Sequence, residues 1–228
     1  MTLPLTPITE DDIAQYLANT PGFFERQAEL LASITLTSPH SRRAVSLQER
    51  QAEMLREKIK GLEQRVMEMV RNSHENASIA SKIHQWSRLL LATPDAAALP
   101  LLLQQGLQQQ FDVPQVALRL WGVDARHTGA AWAQGSSQDV RAFASSLTMP
   151  FCGPNLGFEA SSWLAQAQEV RSLALLPLRP GALDNTEQPA FGLLVLGSPD
   201  PQRFDATMGT DFLARIAELA ASALQRLL

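Results

Sequence analysis

Leu55, Ile59, Leu62, Val66 and Met69 follow one another at spacings of 4, 3, 4 and 3, the a/d seam of a heptad. No proline stands between Pro39 and Pro94, so nothing covalent interrupts a helix through this stretch. The pattern predicts one long helix from Ser46 to about Leu91, a rod on the order of 65 Å at about 1.5 Å per residue. Such a rod outreaches a single small domain, and its seam needs a partner helix. A coiled coil between two copies of the chain, a parallel homodimer, is the expected way to cover it.

The start of this helix is signalled by Ser46 as N-cap with Glu49 three residues on, a capping box. Gln48, Glu49, Arg50, Glu53, Arg56, Glu57 and Lys58 intermix charges at helical spacing, and Gly61 is a weak point. Beyond Met69 the seam runs through Ser73, Asn76, Ala80, Ile83, Ser87 and Leu90, turning polar in its middle. A polar residue at a seam position costs stability but fixes register and oligomeric state.

Charge singles out the same stretch. Residues 1–40 carry a formal charge of -4, residues 41–90 carry +4 and residues 91–228 carry -4, within a total of -4. The basic excess reads as a solvated coiled-coil surface or as a face for an acidic partner, nucleic acid or protein. No aromatic residue interleaves with the basic ones before Trp86, which argues against stacking on single-stranded nucleic acid. With 45% hydrophobic and 18% charged residues, the chain has the composition of a folded protein. Its single cysteine, Cys152, excludes an internal disulfide, and neither C-x-x-C nor H-E-x-x-H spacing occurs, so no metal site is expected. The opening Met-Thr-Leu-Pro-Leu-Thr-Pro lacks a secretory pattern and no run of about 18 apolar residues appears, which points to the cytoplasm and away from membranes.

Three segments are expected: 1–40 helical, 41–92 the long helix, and 93–228 an α/β domain. In the first, Thr9 caps a helix carrying Ile13, Tyr16 and Leu17, and Pro21 opens a second carrying Phe23, Phe24, Ala28, Leu30 and Leu31. The pair has the outline of a helix-turn-helix, but its acidic charge opposes phosphate contact. Thr37–Ser41 reads as a linker. In the third segment, a helix through Leu99, Leu103, Leu107 and Phe111 contains Pro100 in its first turns. Strands are expected at Val116–Trp121, Ala130–Ala133, Ser172–Leu178 and Ala190–Gly197, the last two apolar enough for the centre of a sheet. Helices are expected at Gln138–Ser146, Phe158–Gln168 with Trp163 and Leu164 inward, and Thr207–Leu227. Met149–Pro154 reads as a loop, and His127 falls in an expected hairpin turn.

This order of elements matches the layout of the GAF fold, a central antiparallel sheet with helices on one face and a ligand pocket on the other. The runs Val45–Gln51, Val116–Trp121, Phe151-Cys152-Gly153-Pro154 and Gly197–Phe204, with Met208–Leu213, Tyr16-Leu17, Pro21–Phe24 and Pro39-His40, resemble the bacterial domain-of-unknown-function family 484 over nearly the whole chain. The resemblance implies an α+β, GAF-like domain behind a coiled-coil helix and two short helices, and it assigns no reaction. Phe151 stands where the family favours tyrosine, which removes a hydroxyl that could touch a ligand.

No catalytic set is expected. Cys152 could act as a nucleophile only with an activating histidine, and His40, His74 and His84 lie in the linker or rod. GAF-type methionine sulfoxide reductases, which the fold brings to mind, use several cysteines. Asp200, Asp205 and Asp211 flank turns and a helix start, where capping explains them, and glycine-rich phosphate loops are absent. Trp121, Trp132, Phe151, Phe158 and Trp163 are expected either to pack the core or, with Cys152, to line a pocket in which Arg119 or Arg141 would hold an anionic group. The expected function is a non-catalytic sensor or adaptor of unspecified ligand and protein partner. The alternatives are a scaffold with a filled pocket and a nucleic-acid-associated protein acting through the basic rod.

Overall fold

The structure, a computed structural model, describes residues 8–37, 44–185, 187–205 and 209–228, with the backbone alone for 31–33, 35–37 and 44–48. Two compact units divide it, Met1–Asn72 and Ser73–Leu228. The boundary falls inside one helix.

In the first unit, α1 (Glu10–Asn19) starts with a capping box in which Thr9 Oγ1 accepts from the Asp12 N–H and the Asp12 carboxylate accepts from the Thr9 N–H. Pro21 does not open the next helix. Pro21 and Gly22 form a turn, and α2 (Phe23–Arg26) and α3 (Ala28–Ser33) follow it. A ladder replaces part of the expected linker: β1 (Thr35–Thr37) pairs antiparallel with β2 (Ala44–Ser46), Leu36 opposite Val45. The segment 38–43 and the cap interaction expected of the Ser46 side chain lie outside the described residues. Then α4 runs from Leu47 to Ala92, within a residue of the sequence expectation at either end. Its seam residues Leu55, Ile59, Leu62, Val66 and Met69 are 50–66% exposed.

The second unit is built on a four-stranded antiparallel sheet. Its strands are β3 (Gln115–Leu120), β4 (Phe151–Pro154), β5 (Ser172–Leu178) and β6 (Gly192–Ser198), in the spatial order β3-β6-β5-β4. All residues of β5 and β6 are buried, because helices cover both faces of these central strands. On one face Leu118, Leu120, Leu176, Leu178, Leu194 and Leu196 pack against α5 (Leu99–Gln110), α7 (Asp211–Leu224) and the last turns of α4. Trp86 is completely buried there, with Ile83 and Leu90 beside it in the same core. Two of the downstream heptad positions, Ile83 and Leu90, are thus core positions of this domain, while Ala80 is exposed and Ser87 half-buried. On the opposite face Ala117, Leu173, Leu175, Leu193 and Val195 pack under α6 (Gln138–Ser146), with Ala160, Leu164 and Val170.

Several local expectations are overturned. Ala131–Ala133 is a 3-10 turn and no strand, and His127 ends another, Ala125–His127. Alternation of alanine and tryptophan over four residues has no partner strand here to make it extended. Phe151–Pro154 is an edge strand where a loop is expected. The segment from Phe158 to Gln168 is two 3-10 turns, Glu159–Trp163 and Ala167–Glu169, instead of one helix. Pro100 sits in the first turn of α5, where its missing N–H costs nothing. The final helix ends in a 3-10 turn at Gln225–Leu227, and its expected start at Thr207 lies outside the described residues.

Candidate functional site

β3 alternates along its length, so Ala117 and Arg119 face the α6 side of the sheet while Leu118 and Leu120 face the α7 side. Trp121 follows directly and is fixed at both ends: its N–H donates to Phe191 O at 2.8 Å and its indole Nε1 to Ala190 O at 2.6 Å. Across from it, Ser137 caps α6 by accepting from the Val140 N–H, and its own hydroxyl donates to Glu159. That cap sets Arg141 in the first full turn. The Arg141 guanidinium lies 5.7 Å from the Trp121 ring centroid, and its Nε donates to Ser136 Oγ at 3.1 Å. Trp121, Ser136, Gln138, Arg141, Ser145 and Phe191 line an open cavity of about 850 Å³. Its lining offers an aromatic face, one cation and neutral hydrogen-bonding groups, which suits a flat or anionic ligand.

The other expected site residues lie elsewhere. Arg119 stands over Trp163, its guanidinium carbon 5.5 Å from the ring centroid, and donates from Nη1 to Leu118 O. Its buried Nε has no partner among the described residues, and burial pushes its pKa below the usual guanidinium value. Phe151 packs edge-on against Phe158 at 5.3 Å, and Phe158 against Phe143 at 5.9 Å, filling the α6 side of the sheet. Cys152 is the next residue along β4 and so faces the opposite side, in the α7 core. Burial there pushes its thiol pKa up to about 11, leaving it protonated and unreactive at neutral pH. Trp132 packs on the α7 side, 5.9 Å from the His127 ring. Of the expected pocket set, Trp121 and Arg141 share a cavity, Arg119 and Trp163 share a contact, Phe151 and Phe158 share another, and Trp132 and Cys152 lie apart from these on the α7 side.

Two features escaped sequence reasoning. Arg179, fully buried, donates to Asn185 O, Ser145 O and Leu147 O, and so ties the end of β5 to the C-terminal end of α6. Its place in an Arg-Pro-Gly run reads as an exposed turn. The second feature is a cavity of about 660 Å³ beside α4. It joins residues distant in sequence, and no local motif announces it.

The elements and their contacts define an α+β protein: an antiparallel sheet domain carried on a long helix, with short helices before it. The pattern of the family described as a protein of unknown function, DUF484, matches residues 3–228, and the chain belongs to that family. It is 25% identical over 229 residues to a Salmonella typhimurium protein named Uncharacterized protein YigA, covering 97% of this chain and 93% of that one. A GAF domain of a protein described as a sensor histidine kinase, from Pseudomonas syringae pv. tomato, superposes with a TM-score of 0.43 at 17% identity, over 68% of this chain and 91% of that one. Among the described residues, no helix is long and apolar enough to cross a membrane.

Proposed function

We propose that this protein is a non-catalytic sensor or adaptor that pairs with a second copy of itself through the first half of α4. The observation that carries this reading is the exposure of Leu55, Ile59, Leu62, Val66 and Met69 on one stripe of a continuous helix. An apolar stripe of this kind marks an interaction surface. The heptad supports a second copy as its occupant: β-branched Ile59 and Val66 hold the a positions while Leu55, Leu62 and Met69 hold d, the combination that favours two parallel strands. Lys58 at g and Glu63 at the following e then bring opposite charges together across such a dimer. A small molecule resting on Trp121 and Arg141 is the input in this reading.

Sedimentation equilibrium tests the pairing. The intact protein is expected to be a dimer at micromolar concentration and Leu62→Glu a monomer; a wild-type monomer ends the proposal. The packing of Phe143, Phe151 and Phe158 into the α6 side favours a second reading, a scaffold without ligand. Thermal-shift screening with anionic aromatic compounds separates the two, because a ligand of the native state raises its midpoint.

A further inference from the structure

The polar break in the heptad coincides with a cavity. Asn76, Ile79 and Lys82 of α4 form one wall, and the end of α5, the loop after it, β6 and the start of α7 supply the others, for a volume of about 660 Å³. That is the size of an ordinary small-molecule site. Its interior is apolar, with Leu107, Val113, Leu196, Phe204, Leu213 and Ile216 contributing. The polar groups in its lining are Asn76, Lys82, Asp112, Arg203 and Asp211.

We propose that this cavity binds a small amphipathic molecule with an apolar body and one anionic headgroup, held between Lys82 and Arg203. The two carboxylates of the lining are already occupied or weakly engaged. Asp211 lies in the first turn of α7, where the free N–H groups of the helix compensate its charge. Asp112 reaches Lys82 only at 3.6 Å with a side chain 78% exposed, a pair that contributes little. The backbone of Asp112 has φ 54°, a left-handed conformation uncommon outside glycine. Arg203 Nη2 donates to the carbonyls of Phe111 and Asp112, so this turn anchors the guanidinium in the cavity wall. An anion entering here replaces a loose ion pair with a closer one and covers apolar wall that water now touches. It also explains the polar seam residue Asn76 as cavity lining, and it holds the stretch around Ile79 to the sheet domain.

The test uses a matched pair of probes on the full-length protein, naphthalene-2-sulfonate and 2-naphthylmethylammonium, titrated by calorimetry. With Arg141→Glu in every protein, which removes the cation of the Trp121 cavity, the sulfonate is expected to bind once per chain and at least about 10-fold more tightly than the ammonium compound, a difference well resolved by titration. Ile79→Trp, which puts an indole into the cavity, is expected to weaken sulfonate binding at least about 10-fold, and Lys82→Glu to erase the preference for the anion. Arg171→Glu, an exposed charge reversal outside the lining, is expected to bind as wild type. Lys82 is half-exposed, so its variant carries the test if Ile79→Trp does not fold. Absence of saturable binding, equal affinity for both probes, or wild-type binding by Lys82→Glu overturns the proposal. Oligomeric state is read separately by sedimentation, so failure of the dimer leaves this result standing.

Discussion

The indole of Trp86 occupies the space that a side chain at position 106 would need: a Cβ placed on Gly106 meets Trp86 Cδ1 at 2.5 Å and Nε1 at 2.6 Å. This contact joins α4 to α5, and Trp86 is sealed from solvent. Gly106→Ala would gain about 1 kcal/mol of helix propensity. It would lose about 1–3 kcal/mol by overpacking against an indole with no room to retreat. The expected net effect is destabilisation by up to about 2 kcal/mol, read as a lower urea midpoint at unchanged slope. A midpoint that stays or rises would show that the indole slides aside and that the two helices are not locked through it.

The exposed half of α4 makes a different prediction. Leu62→Glu changes a half-exposed position and so leaves the stability of an isolated monomer within about 0.5 kcal/mol. In a dimer, the thermal midpoint of the wild type rises with protein concentration because association stabilises the native state by mass action. The variant is expected to lose that dependence. Melting curves at two concentrations 100-fold apart check it, and a wild-type midpoint independent of concentration would remove self-association as the role of the stripe.

The same helix shows what sequence pattern can and cannot reveal. Its bounds and its seam were legible because apolar spacing and the absence of proline are local facts. That Ile83 and Leu90 face a sheet, unlike Leu55 and Leu62, was not, since both sets obey one periodicity and only tertiary contacts separate them. Ser172–Leu178 was read to the residue because an unbroken apolar run fits a central strand. Phe151–Pro154 was missed because a four-residue edge strand holding glycine and proline has the composition of a loop. At the candidate site, strand parity alone separates Phe151 from Cys152, while the meeting of Trp121 with Arg141 depends on how α6 packs on the sheet. Arg179 was hidden for a similar reason: its three acceptors are backbone carbonyls, which leave no mark in a sequence.

Those carbonyls define the third prediction. Arg179→Met keeps much of the side-chain volume but strands the acceptors on Asn185, Ser145 and Leu147. An unsatisfied buried acceptor costs about 1–3 kcal/mol, and partial rehydration keeps the total near 2–4 kcal/mol. Arg179→Lys is expected to fall between the two, because one ammonium cannot reach both Asn185 and the end of α6 as the guanidinium fork does. Chemical denaturation of the three proteins gives the order. Equal stability of Arg179→Lys and wild type would mean that charge, and not the fork, holds α6 to β5.

Cys152 supplies a pH dependence whose sign follows from its burial. The folded protein holds the thiol proton to about 11, whereas the exposed thiol of the unfolded chain releases it near 9.0. Between these values the native state binds more protons than the unfolded one, so stability falls as pH rises. The contribution is complete below pH 9.0 and gone above about pH 11. Cys152→Ala lacks the titrating group and is expected to lose less stability over the same window, although it starts lower because of the small cavity it leaves. Urea denaturation at pH 8 and pH 10.5 measures both slopes. Alkylation by iodoacetamide at pH 8 is expected to be slow in buffer and to accelerate in step with unfolding, since only the opened chain presents a thiolate. Parallel stability curves together with rapid labelling of the native protein would place the thiol at the surface of β4 instead of in the core beneath α7.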